Sequence, residues 1–251
     1  MATEYVYGRR SIVETLRANR RNIRRLFVAQ GAENNETLGE ATALAREKGI
    51  LVEVGKRERL DGWTRNANHQ GVVLEVGAYP YVEIADILDE ASRRSEPPFI
   101  LLLDLLQDVQ NVGALLRVAE AVGAHGVILQ ERRAAEITPA VVNASSGAVE
   151  HLRVAQVTNL VQAMKTLKET DVWLAGLDLG EDATRYDQAN LRGALGLVVG
   201  SEGKGLRRLV RETCDFVISL PMRGQVASLN AATAGSIALY KAWEARGFSR
   251  L

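Results

Sequence analysis

The chain has 251 residues, 47% of them hydrophobic, with 31 basic and 31 acidic side chains and a formal net charge of zero. No apolar run approaches the roughly 18 residues a membrane span needs, and the composition excludes fibrous, collagenous and disordered chains. At roughly 150 residues per domain, the length suits one large domain or two modest ones, each able to bury a core. The single Cys214 forms neither an internal disulfide nor a cysteine metal cluster, and no charged-then-apolar leader precedes Glu4, so a reducing cytoplasm is the expected compartment.

Zero net charge argues against histone-like basicity but leaves room for a local basic face, which is what steers a polyanion. Between Arg9 and Arg25, seven arginines (Arg9, Arg10, Arg17, Arg20, Arg21, Arg24 and Arg25) stand against the one acid Glu14. This segment is a candidate phosphate-contacting face; the alternative is a solvated helix end with ordinary surface arginines. From there the pattern predicts strand 25–29, amphipathic helix 36–48, strand 50–54, short helix 56–61 and strand 71–76, a small α/β unit over residues 1–77. Pro80, Pro97 and Pro98 surround a mostly charged helical piece, 84–94, and mark residues 78–98 as a linker.

A second domain is expected over 99–251. Phe99-Ile-Leu-Leu-Leu-Asp104 is a continuous apolar run with a polar end, the pattern of a strand buried on both faces of a parallel sheet. Strands at 126–129, 172–177, 195–200 and 216–220 alternate with helices at 112–122, 159–167 and 206–213, which predicts a doubly wound parallel sheet. Ligands of such sheets bind beyond the carboxyl ends of the strands, so chemistry is sought just after Asp104, Gly200 and Leu220.

Each of those three places carries a polar segment. After Asp104, Asn111 caps or precedes a helix whose second turn presents Arg117, bringing polar groups to a helix N-terminus. After the strand at 195–200, Gly200, Gly203 and Gly205 permit a tight turn and close approach of backbone to a ligand, without the spacing of a P-loop or a GxGxxG turn. Glu202 in this loop is expected to accept hydrogen bonds from neighbouring backbone or to pair with Arg117. After Leu220 come a proline turn, a polar loop and an alanine-rich helix starting near Ser228, with Ser228 or Asn230 as its cap. Small residues Ala231, Ala232, Ala234 and Gly235 let that helix pack closely on a neighbour. His69, His125 and His151 share no ligand spacing, so neither a metal site nor a Ser-His-Asp set is expected.

Together, DVQNVGALLRVA at 108–119, VVGSEGKGL at 198–206 and SLPMRGQVASLNAATA at 219–234 resemble the three motifs of the SpoU (TrmH-type) branch of the SPOUT RNA methyltransferases. YGRRSIVETL from Tyr7 and HQGVVLEV from His69 resemble the amino-terminal RNA-binding domain of those members that methylate guanosine 2′-O in large-subunit ribosomal RNA. The resemblance implies an α/β fold whose carboxyl-terminal parallel-sheet domain carries a trefoil knot, preceded by a small α/β RNA-binding domain. It implies S-adenosylmethionine as donor, an RNA 2′-hydroxyl as acceptor, and a homodimer, with neither DNA nor membrane as partner. It assigns Asn111, Arg117, Glu202, Ser228 and Asn230 to catalysis and Gly200, Leu220, Met222 and Leu229 to the cofactor. The basic segment, with Arg9, Arg10, Arg20, Arg21, Arg24 and Arg25, is then the expected RNA contact. Val109 stands where the first motif usually has proline, and Ala231-Ala232 replace the usual Val-Ser. A transfer RNA 2′-O-methyltransferase of the same branch and a non-catalytic RNA-binding or ribosome-assembly factor are the alternatives.

Overall fold

The computed structural model describes residues 3–33, 35–201, 203, 205–225 and 228–248. In chain order the elements are β1 (Thr3–Tyr7), α1 (Arg9–Ala18), β2 (Ile23–Ala29), α2 (Glu36–Glu47), β3 (Leu51–Gly55), α3 (Arg57–Thr64), β4 (Val72–Gly77), α4 (Ile84–Arg93) and β5 (Phe99–Leu103). There follow α5 (Val109–Ala121), β6 (Gly126–Gln130), α6 (Pro139–Ala144), a 3-10 turn (Ala148–His151), β7 (Val154–Val157), α7 (Leu160–Lys168) and β8 (Trp173–Leu177). The chain closes with β9 (Thr184–Arg185), β10 (Leu195–Val199), α8 (Arg208–Thr213), β11 (Phe216–Ser219) and α9 (Ala231–Ala245). It divides into two compact units, Met1–Pro80 with Glu136–His151, and Tyr81–Ala135 with Leu152–Leu251.

The first unit is a four-stranded sheet in the order β1-β4-β2-β3, with β4 antiparallel to both neighbours and β2 parallel to β3. The amphipathic helix expected at 36–48 forms as α2 and buries Leu38, Ala41 and Ala45, and α1 buries Ile12, Val13 and Leu16. The sequence reading leaves β1 and α1 unassigned, because arginines mask the apolar stripe of α1. It also counts residues 136–151 with the second domain, whereas they pack in the first unit. There Tyr79 donates its hydroxyl to the Val149 carbonyl at 2.9 Å, and the Arg21 guanidinium meets the Glu150 carboxylate at 2.9 Å.

The same packing reshapes the basic segment. Besides the local Glu14, which pairs with Arg17, acids from outside the segment come to its arginines: Glu40 to Arg17, Glu4 and Glu150 to Arg21, Glu75 to Arg24, and Glu53 and Glu75 to Arg25. Arg21 has a side chain 0% exposed, so it is a structural ion-pair partner rather than a surface phosphate contact. Arg20 lies against the Tyr79 ring, 5.8 Å from its centroid. Arg10 and Arg24 are exposed, and Arg9 and Arg25 half-buried.

The second unit holds a seven-stranded sheet in the order β7-β6-β5-β10-β8-β11-β9, every pair parallel. From β5 the chain steps outward through β6 to β7, then crosses to β8, and β10 later enters between β5 and β8. The order thus reverses beside β5, the switch point where open α/β sheets bind ligands. β5 and β10 are buried at every residue, as their unbroken apolar runs require. One face of the sheet, with Ile100, Leu102, Ile128, Leu174 and Val198, packs against Ile87 of α4, Leu160, Met164 and Leu167 of α7, and Val210 of α8. The expected linker therefore contains a core helix: a Cβ on Gly126 would stand 2.6 Å from the Ile87 side chain. The other face carries α5 and α9, where a Cβ on Gly235 would stand 2.6 Å from Leu115 and 3.3 Å from Val199. The small residues of α9 serve the close packing expected of them. The short strands β7 and β9 fall outside the sequence reading. Among the described residues, no helix is long and apolar enough to cross a membrane.

Candidate active site

Three strand ends and two helix starts build the site. At the end of β5 the chain runs to Asp108, whose Oδ1 accepts from the Asn111 backbone N–H at 2.8 Å and so caps α5. Asn111 is therefore not the cap but lies in the first turn, its side chain turned inward and buried. Val109 occupies the first helical position, where proline's fixed φ would fit and its missing N–H would cost nothing; valine keeps the turn without that rigidity. At the other helix, Asn230 is the cap of α9: its Oδ1 accepts from Ala232 and Thr233 N–H at 2.8 and 3.2 Å. With its oxygen so engaged, its amide Nδ2 donates to Asn111 Oδ1 at 2.9 Å. Two asparagines that the sequence marks separately thus form one pair.

The glycine segment follows β10. Ser201 and Gly205 pair in an antiparallel bridge, with Gly205 N–H donating to the Ser201 carbonyl at 3.1 Å, so the loop folds back over Gly200. A Cβ on Gly200 would stand 2.3 Å from the Gly205 carbonyl, and Gly205 itself sits at φ +62. Glycine is required at both places. The fold-back leaves a cavity of about 280 Å³ lined by Gly200, Gly205, Leu220, Met222, Ser228 and Leu229, with Leu177, Asp178 and Val199 among its other walls. Among the described residues, apolar side chains, backbone polar groups, Ser201, Ser228 and the Asp178 carboxylate form this lining, a set suited to an adenine ring, its hydrogen-bonding edge and a cationic group.

Two acids to which the sequence reading gives no role of their own hold the loop. Asp104, its side chain fully buried, accepts from the Arg207 backbone N–H at 2.9 Å and from its Nε at 2.7 Å. Asp178 accepts from the backbone N–H groups of Leu206 at 3.3 Å and Leu179 at 2.8 Å. Each ends a buried strand, and an acid directly after a continuous apolar run is the signal that marks both.

Gly200, Leu220, Met222, Leu229 and Ser228 therefore share the cavity, and Asn230 lies in sequence between two of its lining residues, Leu229 and Ala231. Arg117 is on the exposed side of α5. Glu202 lies outside the described residues. The remaining titratable candidates are structural. Burial pushes the Cys214 thiol up to about 12, which removes it as a nucleophile. His69 Nδ1 accepts from Gly71 N–H at 3.0 Å while its Nε2 meets Asp61 at 2.9 Å. His125 Nδ1 accepts from Phe99 N–H at 2.9 Å, and His151 meets Glu14. Among the described residues no acid, histidine and cysteine group has the arrangement of a metal site.

Comparison with known proteins bears on the same residues. The SpoU rRNA Methylase family matches residues 98–240, and the family described as RNA 2′-O ribose methyltransferase substrate binding matches residues 5–82. YacO of Bacillus subtilis (strain 168), named as a TrmH family tRNA/rRNA methyltransferase, is 41% identical over 97% of this chain and 96% of its own. The crystal structure of the SpoU methyltransferase AviRb from Streptomyces viridochromogenes, in complex with AdoMet, has a TM-score of 0.79 and 25% identity, covering 98% of this chain and 92% of its own. The TrmH/SpoU tRNA modifying enzyme of A. aeolicus aligns with a TM-score of 0.55 and 24% identity, over 61% of this chain and 76% of its own.

Proposed function

Because the chain belongs to the SpoU rRNA Methylase family, we propose that it methylates the ribose 2′-hydroxyl of a guanosine in large-subunit ribosomal RNA. The coarser activity, S-adenosylmethionine-dependent RNA methyl transfer, is the family's own. One observation carries the reading to this chain's residues: the glycine-walled cavity beyond the ends of β8, β10 and β11 is lined by Leu229 and Ala231, the two neighbours of Asn230, whose amide bonds Asn111. Ribosomal rather than transfer RNA is favoured by the amino-terminal motifs YGRRSIVETL and HQGVVLEV, which resemble those of members that act on large-subunit ribosomal RNA.

When bound, S-adenosylmethionine supplies an electrophilic methyl group on a sulfonium. Leu220, Met222 and Leu229 would bury the adenine, and the backbone around Gly200 would read its edge. The protein must then align the ribose oxygen with that methyl group and ease loss of the hydroxyl proton. Arg117 cannot be the base, because a guanidinium is always protonated. Its role is electrostatic: it stabilises the developing alkoxide or holds the neighbouring phosphate, with Glu202 orienting it. Asn111, Ser228 and Asn230 position the ribose and the loop. Arg9, Arg10, Arg20, Arg24 and Arg25 remain proposed RNA contacts, those paired with acids contributing less; Arg21 does not, for the reason given.

The reading includes a trefoil knot through the last two motifs and a homodimer. Insertion of β10 between β5 and β8 supports the first. A groove of about 420 Å³ beside α9, with Ile237, Tyr240 and Phe248 exposed, supports the second. The test is transfer of labelled methyl to separate transcripts of large-subunit ribosomal RNA and transfer RNA. Label in the ribosomal transcript alone, abolished by Arg117→Ala and not restored by Arg117→Lys, is expected. Label in transfer RNA alone overturns the substrate, and wild-type activity in Arg117→Lys overturns the planar role of the guanidinium.

A further inference from the structure

The two amino-terminal motifs, YGRRSIVETL and HQGVVLEV, meet in the first unit. Arg9 of the one donates its backbone N–H to Gln70 Oε1 and its Nε to the Gln70 carbonyl, each at 3.1 Å, across 61 residues of sequence. A further nitrogen of Arg9, Nη2, donates to the Glu33 carbonyl at 2.8 Å. Arg9, Gln70 and Glu33, with Asn35 and Arg57, line a cleft of about 530 Å³ whose remaining walls are Gly31, Ala32 and Gly71. That volume is in the range of small-ligand sites.

The cleft is built rather than incidental. Gln70 is held at φ +54, a left-handed conformation that favours glycine, and Gly71 at φ +79 follows. Buried His69 fixes that turn, accepting from Gly71 N–H at 3.0 Å while its other ring nitrogen meets Asp61 at 2.9 Å. On the opposite wall, Asn35 Oδ1 accepts from Leu38 N–H at 3.0 Å, which leaves its amide nitrogen as a donor. Arg17, Arg21, Arg24, Arg25 and Arg59 of this unit face carboxylates, whereas Arg9 and Arg57, which line the cleft, take part in none of these ion pairs. Two such guanidinium groups suit a phosphate. The Glu33 carboxylate and the Asn35 and Gln70 amides add an acceptor and donors of the kind that read the hydrogen-bonding edge of an unstacked base.

We propose that the cleft bounded by Arg9, Arg57 and Gln70 is a subsite for one nucleotide of the acceptor RNA, its phosphate on the arginines and its base edge on Glu33, Asn35 and Gln70. The inference rests on the reading of this chain as an RNA methyltransferase and assigns the part of substrate recognition that lies outside the cofactor cavity.

The test uses the full chain and fluorescein-labelled transcripts of large-subunit ribosomal RNA and transfer RNA. Arg57 is exposed, so Arg57→Ala should keep the thermal midpoint and the Kd for S-adenosylhomocysteine. It should weaken RNA binding roughly fivefold or more, and reduce the slope of log Kd against log salt by about 0.7 to 1, as loss of one phosphate contact requires. Gln70→Glu keeps an acceptor for the Arg9 N–H but places a carboxylate in the cleft, and should weaken binding at least as much. Arg46→Ala removes an equal charge from the last turn of α2, outside the cleft, and should leave the Kd within about twofold. RNA affinity and salt slope unchanged in Arg57→Ala and Gln70→Glu, or an equal loss in Arg46→Ala, overturns the subsite while leaving the enzyme assignment intact. Wild-type protein that neither binds nor methylates either transcript overturns the underlying reading and the subsite with it.

Discussion

Asn230 Nδ2 donates to Asn111 Oδ1 across 2.9 Å, joining the start of α9 to the first turn of α5 over 119 residues of sequence. One side chain thereby caps a helix with its oxygen and fixes a catalytic candidate with its nitrogen. Asn230→Ala removes both functions and is expected to cost about 1–2 kcal/mol of stability, the ordinary loss for a cap. Asn111→Ala leaves the cap and should cost less, while methyl transfer falls in both variants. Urea unfolding beside single-turnover kinetics checks this; equal stability losses in the two variants would contradict the division of labour.

Gly200 is predicted to be the least replaceable residue of the proposed cofactor cavity. Its Cβ would stand 2.3 Å from backbone atoms of Gly205, and backbone cannot swing aside as a side-chain tip does. Overpacking of this kind costs about 1–3 kcal/mol, so Gly200→Ala should raise the calorimetric Kd for S-adenosylhomocysteine roughly tenfold or more. An unchanged Kd would place the cofactor elsewhere.

The Arg21–Glu150 pair should dominate the stability of the first unit. Both side chains are essentially buried, at 0% and 1% exposure, and Glu4 is the other partner of the guanidinium. Removing one member of such a pair strands a charge, so Glu150→Ala is expected to cost about 3–5 kcal/mol. The double variant Arg21→Met with Glu150→Leu should cost markedly less than the two single changes added together. Desolvation raises the Glu150 carboxyl above its ordinary value despite Arg21. The folded state thus holds this proton longer than the unfolded chain, and the residue's contribution declines as pH rises from the ordinary carboxylate range through the folded value.

His125 gives the opposite dependence. Burial, aided by Arg94, lowers its pKa against the pull of Glu96, and its Nδ1 must stay unprotonated to accept the Phe99 N–H. The unfolded chain therefore binds the proton first, so this stabilisation is complete above the ordinary histidine value of about 6.5 and is lost as pH falls below it. His125→Asn keeps an acceptor for Phe99 without a titrating ring. Thermal midpoints of the variant should vary less between about pH 7 and pH 5 than those of wild type, and identical slopes would reject the assignment.

Much of this protein is legible in the order of its residues. The unbroken apolar runs at Phe99–Leu103 and Leu195–Val199 dictate central parallel strands, because a strand covered on both faces has no polar side to show. Glycines at 200, 203 and 205 and the polar segments after the strands at 195–200 and 216–220 mark residues that line the cavity, since turns and helix caps are local chemistry. What sequence cannot express is which distant segments meet. The tertiary structure decided that Asn230 rather than Ser228 caps α9 and reaches Asn111, and that Asp104 and Asp178 clamp the glycine loop. It decided also that residues 136–151 pack with the first unit and that Glu4, Glu40, Glu53, Glu75 and Glu150 answer the arginines of the basic segment. Capping and strand burial depend on neighbours a few residues away, whereas ion pairing and clamping depend on which remote groups the packed core brings within hydrogen-bonding distance.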